Sequence, residues 1–192
     1  MTFTIKSTVP MDGEAVLPLD DAKDHLRVLS DDEDALIEIL RDAAIDWVER
    51  HTGCALMVRT FEYSGTGFPC TGRSLPLPVR PVVSVEAVSY LDGAGAVIAL
   101  AAPSFRIAQD SLNEAAGARW PVTLAGAGTV TVEFTAGFAD IYADAPALVS
   151  AVKLLMGHLY RYREAAISGV SITEVPLGVT ALCAPFRRMV LG

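Results

Sequence analysis

The three prolines of the segment LPLPVRPVVSVEAVSY constrain the fold more than any other feature. Pro76, Pro78 and Pro81 follow one another closely. Proline lacks a backbone N–H and clashes with the preceding helical turn, so no helix interior can pass through this segment. After Pro81 the residues follow the two-residue period of a strand. The middle of the chain is therefore predicted to be built from strands.

Further segments predict an antiparallel β unit between residues 58 and 140. The sequence LDGAG separates two strand-like runs and predicts a hairpin turn. In GTVTVEFTAGF, the apolar Val130, Val132 and Phe134 alternate with polar residues, which predicts that these three share one face of a strand. We expect five or six strands in this unit.

The flanking segments, 1–57 and 141–192, show helical periodicity instead. Residues 30–53 begin with Ser30 and Glu33 at the spacing of a capping box and end at Gly53, a typical helix stop. Their apolar stripe is predicted at Leu36, Leu40, Ala43 and Trp47. Pro146 opens a second helix, expected to run from 146 to 167. The chain is thus predicted to be a single α+β domain, 1–192, with a helical core built from N- and C-terminal helices and an inserted antiparallel β unit.

Charge and hydropathy limit the possible partners. Hydrophobic residues make up 52% of the 192 residues, which indicates a large core or a large subunit interface. The net charge is −8, and residues 1–60 hold 13 acids and 6 bases, so unspecific DNA binding is not expected. No apolar run reaches the length of a membrane span, and the first residues lack a signal-peptide pattern. These features favour a cytoplasmic protein.

Metal, disulfide and cofactor chemistry is not predicted. The three cysteines lie far apart without a CxxC motif, and the three histidines form neither HxxxH nor HExxH. Four consecutive acids lie at the start of the first long helix, where they suit the positive end of the helix dipole. They are Asp31, Asp32, Glu33 and Asp34.

The segment GFPCTGRS has the spacing of a phosphate loop, with Arg73 in the position of the usual lysine. A phosphate loop leads into a helix whose first amides hold the phosphate, but here LPLPVRP follows. Pro69 also removes one amide from the loop. A glycine-rich loop between strands is the better interpretation. A small oligomeric enzyme or ligand-binding module with a pocket in the β unit stays open as the alternative.

The segment GHLYRYREA, residues 157–165, concentrates polar and aromatic side chains on the second long helix. Each helical residue advances about 100°, so these groups point in different directions and do not form one catalytic site. Tyrosine and arginine are enriched at protein–protein contacts. We therefore predict that Tyr160, Arg161 and Arg163 contact a neighbouring subunit, with an ordinary surface helix as the alternative.

An ordered series of segments carries a family resemblance: LPLDDAKDHLRV, LPLPVRPVVSVEAVSYLDGAG, RWPVTLAG, VTVEFTAGF, PALVSAVKLLMGHLYRYREA and VPLGVTALCAPFRRM. In this order they resemble the head–tail connector, or adaptor, proteins of long-tailed bacteriophages and phage-derived gene transfer agents. The resemblance implies a structural protein without enzymatic activity or cofactor. Such proteins form a ring, usually of twelve subunits, beneath the portal. They extend the DNA channel and receive the next connector, stopper or tail component.

The resemblance also implies roles for particular segments. The C-terminal segment would contact the portal, with Pro185, Phe186, Arg187, Arg188 and Met189 as candidates. The helix 146–167 would pack against neighbouring subunits in the ring. We further hypothesise that the acids at 31–34 face the channel, where negative charge would let DNA slide without specific binding. The protein would assemble in the bacterial cytoplasm, without a membrane partner, and remain at the head–tail junction.

Overall fold

The computed structural model describes residues 3–70, 72–162, 166–167, 170–171 and 176–188. Its helices, in chain order, are α1 (Gly13–Val16), α2 (Leu19–Leu26), α3 (Asp34–Thr52), α4 (Ile141–Asp144), α5 (Pro146–Arg161) and α6 (Leu177–Cys183). Its strands are β1 (Phe3–Ser7), β2 (Arg59–Gly65), β3 (Leu75–Pro76), β4 (Val82–Leu91), β5 (Val97–Ala99), β6 (Phe105–Ala108), β7 (Ser111–Glu114), β8 (Val130–Ala136), β9 (Ala166–Ile167) and β10 (Val170–Ser171). The predicted mixture of helices and antiparallel sheets is confirmed.

The chain divides into two compact units, each made of two separate segments. The β unit contains Met1–Pro10 and Val58–Gly137, and the helical unit contains Met11–Met57 and Phe138–Gly192. The strands of residues 58–137 are therefore inserted between helical segments. The first residues differ from the prediction, because β1 joins the β unit by pairing antiparallel with β2.

The main sheet of the β unit has five strands in the order β1-β2-β8-β4-β5, all antiparallel. Its central strand, β8, confirms the predicted alternation, since Val130, Val132 and Phe134 are all buried. Phe134 pairs with Phe61 of β2, and their ring centroids lie 5.7 Å apart. A smaller sheet of three strands has the order β3-β7-β6.

Strand β4 departs from the regular alternation that the sequence predicts. Its pairing with β8 shifts register between Val82 and Ser84 and again between Val85 and Ala87. Each shift inserts one residue without a partner in β8, Val83 at the first and Glu86 at the second. Val83 is 57% exposed, whereas Val88, beyond both shifts, is buried. The predicted hairpin is confirmed: β4 pairs with β5, and the Asp92 carboxylate accepts hydrogen bonds from turn amides.

The core of the helical unit forms where α3 packs against α5. The helix in this region ends at Gly53 as predicted, with a φ of 70°. The predicted stripe is only partly confirmed: Leu40 and Trp47 pack against the core while partly exposed. The fully buried row lies one residue further along the helix and consists of Ile37, Arg41, Ala44, Ile45, Val48 and Thr52. Apolar residues occupy both rows, so periodicity alone did not separate them.

The start of α3 and the end of α5 also correct the prediction. No side chain caps α3, and Glu33 instead accepts a hydrogen bond from Tyr160. Helix α5 ends at Arg161, well before residue 167, and Ala166 lies in β9. Its apolar spacing continues past the last helical residue, and no glycine or proline marks the true end. None of the described helices combines the length and apolarity needed to cross a bilayer.

Candidate assembly surfaces

A lysine of α2 forms ion pairs with two of the acids at the start of α3. The Lys23 ammonium lies 2.6 Å from Asp31 Oδ1 and 2.7 Å from Asp34 Oδ1, with only 12% of its side chain exposed. Hydrogen bonds to both carboxylates raise the pKa of Lys23, and the reciprocal bond lowers the pKa of Asp31. Part of the negative charge predicted for a channel surface is therefore compensated within the chain.

The remaining two acids of this cluster differ from each other. Glu33 is half-buried and accepts the Tyr160 hydroxyl hydrogen bond, which ties the start of α3 to the end of α5. Asp32 is exposed. The structure thus brings Asp31, Glu33 and Asp34 into contacts within the helical unit and leaves Asp32 at its surface.

The three predicted subunit contacts on α5 also have different surroundings. Tyr160 is half-buried and turned toward α3. Arg161 is exposed, with its guanidinium 5.8 Å from the centre of the Tyr162 ring. Arg163 lies outside the described residues. The sequence alone did not show that Tyr160 faces α3, because its hydrogen-bond partner Glu33 lies 127 positions away along the chain.

The predicted portal-contact segment is only partly directed outward. Pro185, Arg187 and Arg188 are exposed, whereas Phe186 packs edge-on against Phe138 with ring centroids 6.4 Å apart. The Phe186 carbonyl also accepts a weak hydrogen bond from the thiol of Cys54 at 3.8 Å. Met189 lies outside the described residues. Phe186 therefore anchors the segment that carries the two arginines.

The loop that resembles a phosphate loop is closed by a carboxylate. Glu114 accepts hydrogen bonds from the backbone N–H of Gly72 at 2.9 Å and of Trp120 at 2.7 Å. The Trp120 indole N–H donates to the Arg73 carbonyl at 3.2 Å, and its ring stacks on Phe68 with centroids 4.7 Å apart. An amide that already binds a carboxylate does not receive a phosphate, and the negative charge would repel one.

A shallow opening of about 180 Å³ lies beside this loop, lined by Gly72, Arg73, Arg106, Asn113 and Glu114. The lining offers no serine, cysteine or histidine for nucleophilic catalysis, and its one carboxylate holds two backbone amides. Within the described part of the chain, no group of three or more His, Cys, Asp or Glu residues could hold a metal ion. No observation at this opening favours the enzyme alternative.

We expect Glu114→Gln to weaken the β unit in a pH-dependent way. The two amide hydrogen bonds lower the pKa of Glu114 below its ordinary value of 4.5. A lowered pKa in the folded state adds stability above about pH 4.5, and this stability is lost as the pH falls through the folded-state value. The urea midpoints of the wild type and the variant should differ most near about pH 6 and converge as the pH falls through the lowered folded-state pKa of Glu114.

The matched control for this prediction is Glu133→Gln, on the exposed face of β8. Glu133 has the same charge but lies outside the loop contacts of Glu114. Its replacement should leave the wild-type pH profile nearly unchanged. Identical pH profiles for the two variants would contradict the role assigned to Glu114.

A buried arginine is the main feature that the sequence reasoning missed. Arg41 lies in the buried row of α3 with 5% of its surface exposed. Its Nη1 lies 2.8 Å from Glu14 Oε2, its Nε lies 3.0 Å from Asp42 Oδ1, and Nη1 also donates to the Leu17 carbonyl at 3.3 Å. Its spacing from Ile37 and Ala44 could have placed it in the core row.

Comparison with known proteins connects this fold to virus-like particles. A family model described as phage gp6-like head–tail connector protein matches residues 17–89. Three solved structures each contain a chain that is 32% identical to this one. They are the virion of a native gene transfer agent particle, the neck of an empty particle computed with C6 symmetry, and the neck of a native particle computed with C12 symmetry.

These matches extend over nearly whole chains. The alignment with the virion chain has a TM-score of 0.79 and covers 98% of this chain and 97% of the virion chain. The C6 neck chain has a TM-score of 0.79 and the C12 neck chain one of 0.77, each with 98% of both chains covered. A search of the curated proteins found no match.

This likeness defines the class as structural proteins of phage-like particles. Within that class, the chain belongs to the phage gp6-like head–tail connector family. The family resemblance read from the ordered sequence segments is confirmed, and with it the role of a structural head–tail adaptor.

Proposed function

We propose that copies of this chain form a closed ring of twelve between the portal and the tail of a phage or phage-like particle. The observation that carries the proposal is the match, over 98% of both chains, to a chain in a native gene transfer agent neck computed with C12 symmetry. The ring extends the DNA channel and receives the next connector, stopper or tail component. In this role residues 1–192 act as a single connector domain with the β segment 58–140 inserted between helices.

The proposed ring has no catalytic step and no cofactor. Its subunits assemble in the bacterial cytoplasm and then stay at the head–tail junction. DNA passes through without specific binding, because each chain carries a net charge of −8 and like charges repel. Among the four channel candidates, Asp32 is the most favourable, since Asp31 and Asp34 share Lys23 and Glu33 holds Tyr160.

Contact with the portal is proposed for the C-terminal segment. Phe186 fixes the segment against Phe138 through an edge-on ring contact. The exposed Arg187 and Arg188 follow directly and supply two positive charges. A basic segment suits an acidic portal surface, because opposite charges increase the rate and the specificity of association.

The test is co-assembly of the chain with the portal protein of the same particle, followed by sedimentation and imaging. We expect the double variant Arg187→Glu, Arg188→Glu to lose portal binding while its circular dichroism stays unchanged. This variant is preferable to deleting residues 185–192, because that deletion also removes the anchoring ring of Phe186.

The matched control reverses two exposed arginines of the β unit, Arg106→Glu and Arg119→Glu. It should retain portal binding. Retained binding in the C-terminal variant, or loss only in the control, would overturn the assignment of the C-terminal segment. Failure of the unaltered chain to form a ring on the portal would overturn the proposed function itself.

A further inference from the structure

The outer face of α3 carries an apolar ridge that its own core does not use. We define the α3 ridge as Ala35, Ile39 and Ala43, which are spaced four residues apart and therefore lie along one side of the helix. All three are exposed, and Ile39 is 67% exposed. None belongs to the hydrophobic core of the helical unit. One large apolar side chain thus stands between two small ones.

Helix α5 carries a second exposed ridge. We define the α5 ridge as Ser150, Leu154 and Arg161, which also lie on one side of their helix at intervals of four and seven residues. All three are exposed, Leu154 to 45%, and none belongs to the core. This ridge again has one large apolar residue near its middle, but it ends in a positive charge.

The charges around the two ridges are opposite. Residues 11–57, which include α3, contain 13 acids and 4 bases, whereas residues 146–188, which include α5, contain 5 bases and 2 acids. Beside the α3 ridge, Glu38 and Asp46 are exposed acids, of which Asp46 forms an exposed ion pair with Arg50 at 2.9 Å. The α5 ridge itself presents the exposed Arg161. Two copies of the α3 ridge would repel each other, while an α3 ridge and an α5 ridge attract.

A closed ring requires two such different surfaces on every subunit. Identical chains related by rotation around a ring meet through heterologous contacts, in which one patch of a chain binds a different patch of the next. We propose that the α3 ridge of each chain packs against the α5 ridge of a second copy, with Ile39 beside Leu154 and the acids of α3 facing Arg161. This inference rests on the proposed ring function.

Cysteine cross-linking tests this pairing directly. The background variant is Cys70→Ser, because Cys70 is exposed while Cys54 and Cys183 are buried. Ile39→Cys and Leu154→Cys are made in separate chains, which excludes any cross-link within one chain. The two chains are assembled together on the portal protein and oxidised with copper phenanthroline in air. We expect at least about tenfold more covalent dimer from the mixture than from either chain alone.

A charge variant gives an independent readout in the full chain. Ile39→Glu places a further acid near Glu38 and Asp46 and should reduce the fraction of assembled rings at least about tenfold, because a charge at the centre of a contact is desolvated without a partner. The matched control is Leu29→Glu, which makes the same change at a side chain 96% exposed and outside both ridges. The control should assemble normally.

Each remaining outcome contradicts the pairing in its own way. A dominant Ile39→Cys homodimer would overturn it in favour of a two-fold contact between α3 helices. If the unaltered chain forms rings on the portal but the mixture of the two cysteine variants gives no mixed cross-link there, the pairing is overturned and the proposed function stands. Equal assembly of Ile39→Glu and Leu29→Glu would also overturn it. If the unaltered chain forms no ring on the portal, both the proposed function and the proposed pairing are refuted.

Discussion

Trp120→Ala is expected to lower the free energy of unfolding of the β unit by about 3 to 5 kcal/mol, the range for removing a large buried aromatic side chain. Trp120 is buried, stacks on Phe68 at 4.7 Å, and donates its indole N–H to the Arg73 carbonyl. Its removal leaves a cavity and an unpaired carbonyl in the loop 67–74. Urea denaturation followed by circular dichroism measures the loss.

Trp120→Phe is the matched control, because it keeps an aromatic ring beside Phe68 and removes only the indole N–H. Loss of that one hydrogen bond should cost about 1 kcal/mol, with a smaller contribution from the reduced ring size. The alanine variant should also be cut faster by protease within residues 67–74. Equal destabilisation by phenylalanine and alanine would contradict the assigned role of ring stacking.

Arg41→Ala should lower the free energy of unfolding of the helical unit by about 2 to 4 kcal/mol. The guanidinium and its apolar stem fill the buried row of α3, so truncation removes packing as well as three hydrogen bonds. Glu14 and Asp42 keep 58% and 45% of their side chains exposed, so water can solvate both carboxylates after the arginine is gone. This exposure limits the loss of unfolding free energy that the substitution causes. Thermal denaturation and urea midpoints provide the measurement.

Two variants separate the contributions at this site. Arg41→Met keeps most of the apolar stem and should recover about half of the loss, whereas Glu14→Gln should cost less than about 1 kcal/mol because its partner retains other contacts. A larger cost for Glu14→Gln than for Arg41→Ala would mean that the ion pair, and not the packed stem, dominates. A side chain at Gly13 would also disturb this site, since a Cβ there would overlap Asp42 Oδ1.

The sequence predicted strands and helices best where the pattern of side chains was compatible with only one secondary structure and one buried face. Strand β8 was clear because its apolar residues alternate strictly and all of them are buried. Strand β4 was harder to predict, since its pairing with β8 contains two register shifts that no residue type in the sequence indicates. Strand β1 was missed because its residues are mostly exposed and it is defined by pairing with β2, more than fifty positions away.

The surfaces were harder to predict than the fold. The clusters at 31–34 and 157–165 were recognised as unusual, but their internal partners were not, because Lys23 with Asp31 and Glu33 with Tyr160 are contacts of tertiary structure. In α3, the sequence stripe of Leu36, Leu40, Ala43 and Trp47 was taken as the buried face. Its outer member, Ala43, lies on the exposed ridge instead. A helix with apolar residues on two sides needs a known partner before either side can be assigned.

The insertion of the β unit affects the order in which the chain can fold. Helices α3 and α5 belong to one core, yet residues 58–137 of the β unit separate them along the chain. Closing a flexible loop of about 80 residues would cost about 4 kcal/mol of chain entropy. In the folded β unit, however, Arg59 at the start of β2 pairs with Ala136 at the end of β8, so its two ends are neighbours. A β unit that folds first therefore acts as a short tether, and we expect its amides to gain hydrogen-exchange protection before those of α5.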